Sequence, residues 1–94
     1  MKLSIIVPMC NSEKYIRTCL DSLVKQGLCI DDYEIIIINY GSSDNSEEIV
    51  KEYMKQYPQI LLYSQENGGQ SKARNKGISL ARGQYVCLVH SPYN

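Results

Sequence analysis

Tyr33-Glu34-Ile35-Ile36-Ile37-Ile38-Asn39-Tyr40-Gly41-Ser42-Ser43-Asp44 decides the fold. Four consecutive isoleucines leave no alternation between a wet and a dry face. The run therefore reads as a strand covered on both sides, as in a parallel sheet. Tyr40 to Ser43 is a turn, and Asp44 with Glu47 has the spacing of a capping box that opens a helix.

Working outward, Leu3 to Pro8 is a second continuous apolar run, rich in β-branched residues. Asn11 or Ser12 can cap a helix running to about Gln26. Its apolar residues Tyr15, Ile16, Cys19, Leu20, Leu23 and Val24 recur on one face of a 3.6-residue period. Gly27 is a natural stop. Downstream, Ile49, Val50, Tyr53, Met54 and Tyr57 give the next helix its inner face before Pro58. Ile60 to Tyr63 is a third strand, and Asn67-Gly68-Gly69 a loop. A more polar helix follows, from Gln70 or Ser71 to about Ala81, with Ala73, Gly77, Ile78 and Ala81 inward. Tyr85 to Val89 is a fourth strand. The order β-α-β-α-β-α-β predicts an α/β fold: a Rossmann-like, three-layer parallel sheet with right-handed crossovers.

Ninety-four residues allow one domain, 1–94. The 44% hydrophobic and 21% charged residues are those of a soluble globular chain. Ten basic residues balance ten acidic ones, which argues against a broad nucleic-acid or anionic-lipid surface. No apolar run reaches the ~18 residues of a membrane span. The apolar N-terminus is too short for a signal peptide, so the expected location is cytoplasmic. Cys10, Cys19, Cys29 and Cys87 lack metal-site spacing and read as free thiols.

Ligands of such sheets bind beyond the carboxyl ends of the strands. Four loops lie there. In Val7-Pro8-Met9-Cys10-Asn11, Pro8 ends the strand pairing, and the turn leads to a helix N-terminus whose free N–H groups suit phosphate. An ordinary loop with an Asn cap is the simpler reading of that segment alone. In the second loop Gly41 permits a tight turn, and the Asn39 amide can donate and accept in a base pocket. There Asp44 fits a cap better than a catalytic acid. In the third, Lys72, Arg74 and Lys76 open a helix against its own dipole, which hints at an anionic partner. Arg74 stands out because its fork can grip a diphosphate. The fourth is the tail, Val89-His90-Ser91-Pro92-Tyr93-Asn94, which has no carboxylate side chain. His90 alone would give a metal a single ligand.

Taken together, Ser4-Ile5-Ile6-Val7-Pro8-Met9-Cys10-Asn11-Ser12-Glu13-Lys14-Tyr15, the turn Gly41-Ser42-Ser43-Asp44-Asn45-Ser46 and Glu66-Asn67-Gly68-Gly69-Gln70-Ser71-Lys72-Ala73-Arg74-Asn75-Lys76-Gly77 resemble the family 2 glycosyltransferases. The resemblance implies a partial GT-A fold, its N-terminal nucleotide-sugar-binding half, a nucleotide-diphosphate sugar donor such as a UDP-sugar, and inverting transfer. It places Pro8 and Asn11 near the nucleoside, Asn39 at the position of a base-contacting aspartate and Arg74 near the nucleotide. Pro8, Cys10, Asn11, Asn39, Gly41, Arg74 and His90 are the candidate nucleotide-binding residues, with no catalytic and no metal-binding residue among them.

Three departures from the family pattern stand out. Asn39-Tyr40 replaces an aspartate pair, although an Asn carbonyl can still accept from a uracil N–H. Cys10 replaces an aromatic residue. His90-Ser91-Pro92-Tyr93 replaces the Asp-x-Asp that would hold Mg²⁺ or Mn²⁺ against the diphosphate. The family's acceptor-binding half is also absent. The leading expectation is thus a donor-binding domain that is inactive alone. Two alternatives stay open. One is a transferase part completed by a partner or by self-association, and the other is a non-catalytic α/β binding or regulatory module.

Overall fold

A computed structural model describes residues 1–25, 27–65 and 69–89. The elements are β1 (Leu3–Met9), α1 (Glu13–Val24), β2 (Tyr33–Asn39), α2 (Ser46–Gln56), β3 (Ile60–Ser64), α3 (Gly69–Leu80) and β4 (Tyr85–Leu88). All strands are parallel, in the order β3-β2-β1-β4. The Rossmann-like α/β expectation holds.

Strand alternation divides the core between the two faces of the sheet. Ile5, Val7, Met9, Ile35 and Ile37 point to the face covered by α1 and α2, where they meet Ile16, Leu20, Ile49 and Val50. Ile6, Ile36 and Ile38 point the other way, toward Ala73 of α3. The four isoleucines are fully buried because both faces are roofed. On the α3 side the helix comes very close: a Cβ at Gly77 would stand 2.3 Å from Ile6 Cγ2.

Several local expectations change. Pro8 does not end β1, which continues to Met9 in register with Asn39. Leu3 N and Met9 O bond toward the β2 side, whereas Lys2 O and Ile6 O bond toward β4. By alternation the missing N–H of Pro8 faces β4, so it stops only that ladder. Ile78, expected inward, is exposed. β4 is an edge strand whose Tyr85, Val86 and Leu88 are exposed, whereas β1 and β2, in the middle of the sheet, have no exposed residue. An apolar edge of this kind is usually covered in folded proteins. Among the described residues, no helix is long and apolar enough to cross a membrane.

The amino ends of the strands are tied by a polar network that the sequence reading did not single out. Glu34, 1% exposed, accepts from Ser4 Oγ at 2.6 Å, Arg82 N at 2.8 Å and Arg82 Nε at 3.0 Å. Gly83 N donates to Ser4 Oγ at 2.8 Å. The α3–β4 loop is thereby anchored to β1 and β2. Parallel sheets of this kind bind ligands at the opposite end.

Candidate functional site

At the carboxyl edge the β1–α1 and β2–α2 loops grip each other. Asn11 takes φ 50°, a left-handed conformation that Asn tolerates. Its Oδ1 accepts from Ser43 N at 2.8 Å, and its own N–H donates to Ser42 Oγ at 3.0 Å. Asp44 accepts from Glu13 N at 3.2 Å with one oxygen, and from Ser46 N at 3.0 Å with the other. The Ser46 hydroxyl also donates to Asp44 and accepts from Ser12 N. Glu13 returns the contact by accepting from Asn45 N at 2.9 Å.

Asp44 thus caps the start of α1 from the neighbouring loop and the start of α2 from its own, while Glu13 of α1 reaches across to the N–H of Asn45. Ser12 and Asn45 occupy the N-cap positions without side-chain caps of their own. Asp44 takes the place of the expected Asn11 cap on α1 and caps α2 as expected, but Glu47 turns to Asn39 and Lys51 rather than completing a capping box. One consequence concerns phosphate. The N–H groups of Ser12, Glu13, Tyr15 and Ile16 are all spent inside the protein, which leaves fewer donors for an anion at the start of α1 than the loop suggested.

Desolvation works to raise the Asp44 carboxyl, but the hydrogen bonds from Ser46 and Glu13 outweigh it and hold the group below the usual carboxylate range. A depressed folded-state value contributes stability above the unfolded value and loses it as pH falls through the folded one. Asp44→Ala is expected to cost about 1–2 kcal/mol at pH 7, since it uncaps two helices. Urea melts should show that difference shrinking below pH 4, and an equal loss at pH 7 and pH 3 would refute the cap assignment.

Beside the clasp, a hollow of about 360 Å³ lies beyond the carboxyl ends of β2 and β3. It is lined by Asn39, Gly41, Ser42, Glu47, Ser64 and Gln65. Gly41 supplies the turn with φ 119°, a region other residues rarely adopt. Asn39 is 5% exposed, and its Oδ1 accepts from Ser42 N at 2.9 Å and Gly41 N at 3.3 Å. Its Nδ2 donates to Glu47 Oε2 at 3.2 Å. The turn thus occupies the oxygen that sequence reasoning offered to a base.

The other candidate residues are less closely placed. Pro8 lies within β1, buried, and Cys10 follows it as a half-buried free thiol. Arg74 sits half-buried near the start of α3, with no ion pair among the described residues. His90 and the rest of the carboxylate-free tail lie outside the described residues. Among the described residues no three His, Cys, Asp or Glu side chains converge as a metal site. Glu47 is the lining residue that sequence reasoning passed over. Its capping-box spacing hid it, and only its position across the hollow from Asn39 reveals it.

A parallel sheet with helices on both faces defines a Rossmann-like α/β class, whose ligands bind beyond the carboxyl ends of the strands. Residues 4–91 match the sequence profile of glycosyl transferase family 2, and the chain belongs to that family. The glycosyltransferase YibD of Escherichia coli K12 is 50% identical over 88 residues, covering 94% of this chain and 25% of that protein. A poly(ribitol-phosphate) beta-glucosyltransferase of Bacillus spizizenii is 41% identical over 93 residues, covering 97% of this chain and 15% of the relative. The chain spans about a quarter or less of the length of these relatives.

Solved structures agree on the GT-A-type fold. S. aureus TarS 1-349 in complex with UDP-GlcNAc superposes with TM-score 0.88 at 35% identity, over 95% of this chain and 26% of TarS. The mannosyltransferase PcManGT from Pyrobaculum calidifontis, in complex with GDP-Man and Mn²⁺, gives 0.83 at 25% identity, over 90% and 26%.

Proposed function

We propose that this chain is a nucleotide-binding domain of a family 2 glycosyltransferase, taking the nucleotide of a UDP-sugar at the carboxyl edge of β1, β2 and β3. The observation that carries the reading is the hollow between Asn39, Glu47 and Ser64, at the edge where parallel sheets bind ligands. A structural relative binding UDP-GlcNAc supports uridine as the nucleoside. Arg74 is the cation suited to the diphosphate.

Transfer needs more than this. Charge on the departing diphosphate calls for a metal or a set of cations, worth several kcal/mol of barrier. The described residues offer no metal ligand set, so a divalent ion does not fit them and no step is routed through one. The proposed role is donor binding, with no transfer by this chain alone.

Thermal unfolding in the presence of UDP, UDP-GlcNAc or GDP, each with and without Mn²⁺, tests the reading. At ten times its Kd, UDP should stabilise by about 1.4 kcal/mol. For a domain of this size that is a rise in Tm of roughly 5–11 °C. The rise should be the same with and without Mn²⁺. No shift with any nucleotide overturns donor binding, and a strictly Mn²⁺-dependent shift overturns the metal-free reading.

A further inference from the structure

The Asn39 amide cannot serve a nucleobase in the way its residue type suggests. Both lone pairs of its Oδ1 face backbone N–H groups of its own turn, so it has no acceptor left for a ring N–H. Its Nδ2 has two hydrogens, one of which goes to Glu47 Oε2. The other is not engaged among the described residues. Glu47 is a partly exposed carboxylate lining the same hollow. Asn39 holds one of its oxygens and Lys51, at 3.5 Å, holds the other. A carboxylate fixed in this way keeps further lone pairs and can only accept. The hollow therefore presents an acceptor from α2 next to a donor from the end of β2.

We infer that Glu47 is the base-reading residue of this domain, accepting the N3–H of a uracil ring while Asn39 Nδ2 donates to the neighbouring carbonyl oxygen. This rests on the uridine reading above and adds the residue that discriminates. The Asn39–Glu47 pair also moves the acceptor from β2 to the first turn of α2, where the helix dipole favours a negative charge. Lys51 pairs with the Glu47 oxygen that Asn39 leaves free, which fixes the carboxylate from both sides.

The test is a double-mutant cycle between protein and ligand. Calorimetric titration measures UDP and N3-methyl-UDP against the 94-residue chain and its Glu47→Ala and Glu47→Gln variants. Methylation removes the N–H and should weaken binding to the unaltered chain about tenfold or more, the scale of a hydrogen bond to a charged group. In Glu47→Ala the two ligands should bind within about threefold of each other, because the partner of the N–H is already gone. Glu47→Gln, which retains an acceptor without the charge, should fall between. Circular dichroism melts confirm that the variants fold. If methylation weakens binding equally in all three proteins, or UDP affinity is indifferent to Glu47, the assignment is wrong while the uridine site stands. If the unaltered chain binds no UDP, the uridine reading itself fails and this one with it.

Discussion

Glu34→Ala is expected to cost about 3 kcal/mol, and the loss will come from neutral partners more than from the ion pair. Arg82 keeps 66% of its side chain in solvent, so its pairing with Glu34 at 3.0 Å contributes little net attraction. What the substitution strands is the Ser4 hydroxyl, fully buried on β1, and the Arg82 backbone N–H. Each unsatisfied buried group costs about 1–3 kcal/mol. For a domain of this size the sum is a fall in Tm on the order of 12–24 °C.

Glu34 also carries a pH signature. Burial pushes its carboxyl upward, but hydrogen bonds from Ser4 and Arg82, together with the Arg82 charge, prevail and hold it below the usual range. Its folded value is lower than its unfolded one. The contribution is therefore complete above the unfolded value and disappears as pH falls through the folded value. Denaturant melts of the unaltered chain and of Glu34→Ala should differ most at pH 7 and converge toward pH 3. Glu34→Gln should lose only part of the stability at pH 7, since its amide oxygen still accepts. A Glu34→Ala loss below about 1 kcal/mol at pH 7 would show the network to be ornamental, since even one stranded group costs that much.

Gly83→Ala should be comparably damaging for a different reason. A Cβ there would stand 2.7 Å from Leu3 C and Ser4 N and 2.9 Å from Ser4 Oγ. Two of those atoms are backbone in β1 and cannot swing away as a side chain could. Relief requires the 81–84 loop to lift off the strand, breaking the Gly83 N to Ser4 Oγ bond and weakening the docking of Tyr85 N on Lys2 O. Overpacking of this kind costs about 1–3 kcal/mol. The lost hydrogen bond adds about 1. Hydrogen exchange should show the loss concentrated in β4, with β2 still protected. Uniform deprotection of all four strands would contradict the local mechanism. The same reasoning applies less severely at Gly77, where the obstacle is the Ile6 side chain.

The two ends of the sheet divide the labour. At the amino end Glu34, Ser4 and Arg82 fix the α3–β4 loop. At the carboxyl end the reciprocal caps of α1 and α2 use up helix N–H groups that could otherwise bind anions. A hollow over β2 and β3 lies beside them. On the proposed reading, the base side of a nucleotide would meet these preformed groups and the diphosphate would meet Arg74.

Chain order and periodicity by themselves determined the alternating β/α path, the parallel sheet, the buried faces of α1 and α2 and the family. These are legible because they depend on neighbours three or four positions away, or on runs such as Ile35–Ile38. Hydrogen-bond partners were not legible. Asn11 meets Ser43, Asp44 meets Glu13, and Glu34 meets Arg82 across 32, 31 and 48 positions of sequence. Asn39 looked available for a base because its residue type is versatile, and only the fold showed its oxygen committed to its own turn. Burial on β4 was likewise undecided by composition, because an apolar strand at the sheet edge reads like one in the middle. Tertiary structure settled which polar groups are spent on holding the fold. A polar group satisfies whichever partner the chain brings within about 3 Å, and that distance is set by packing across the sheet.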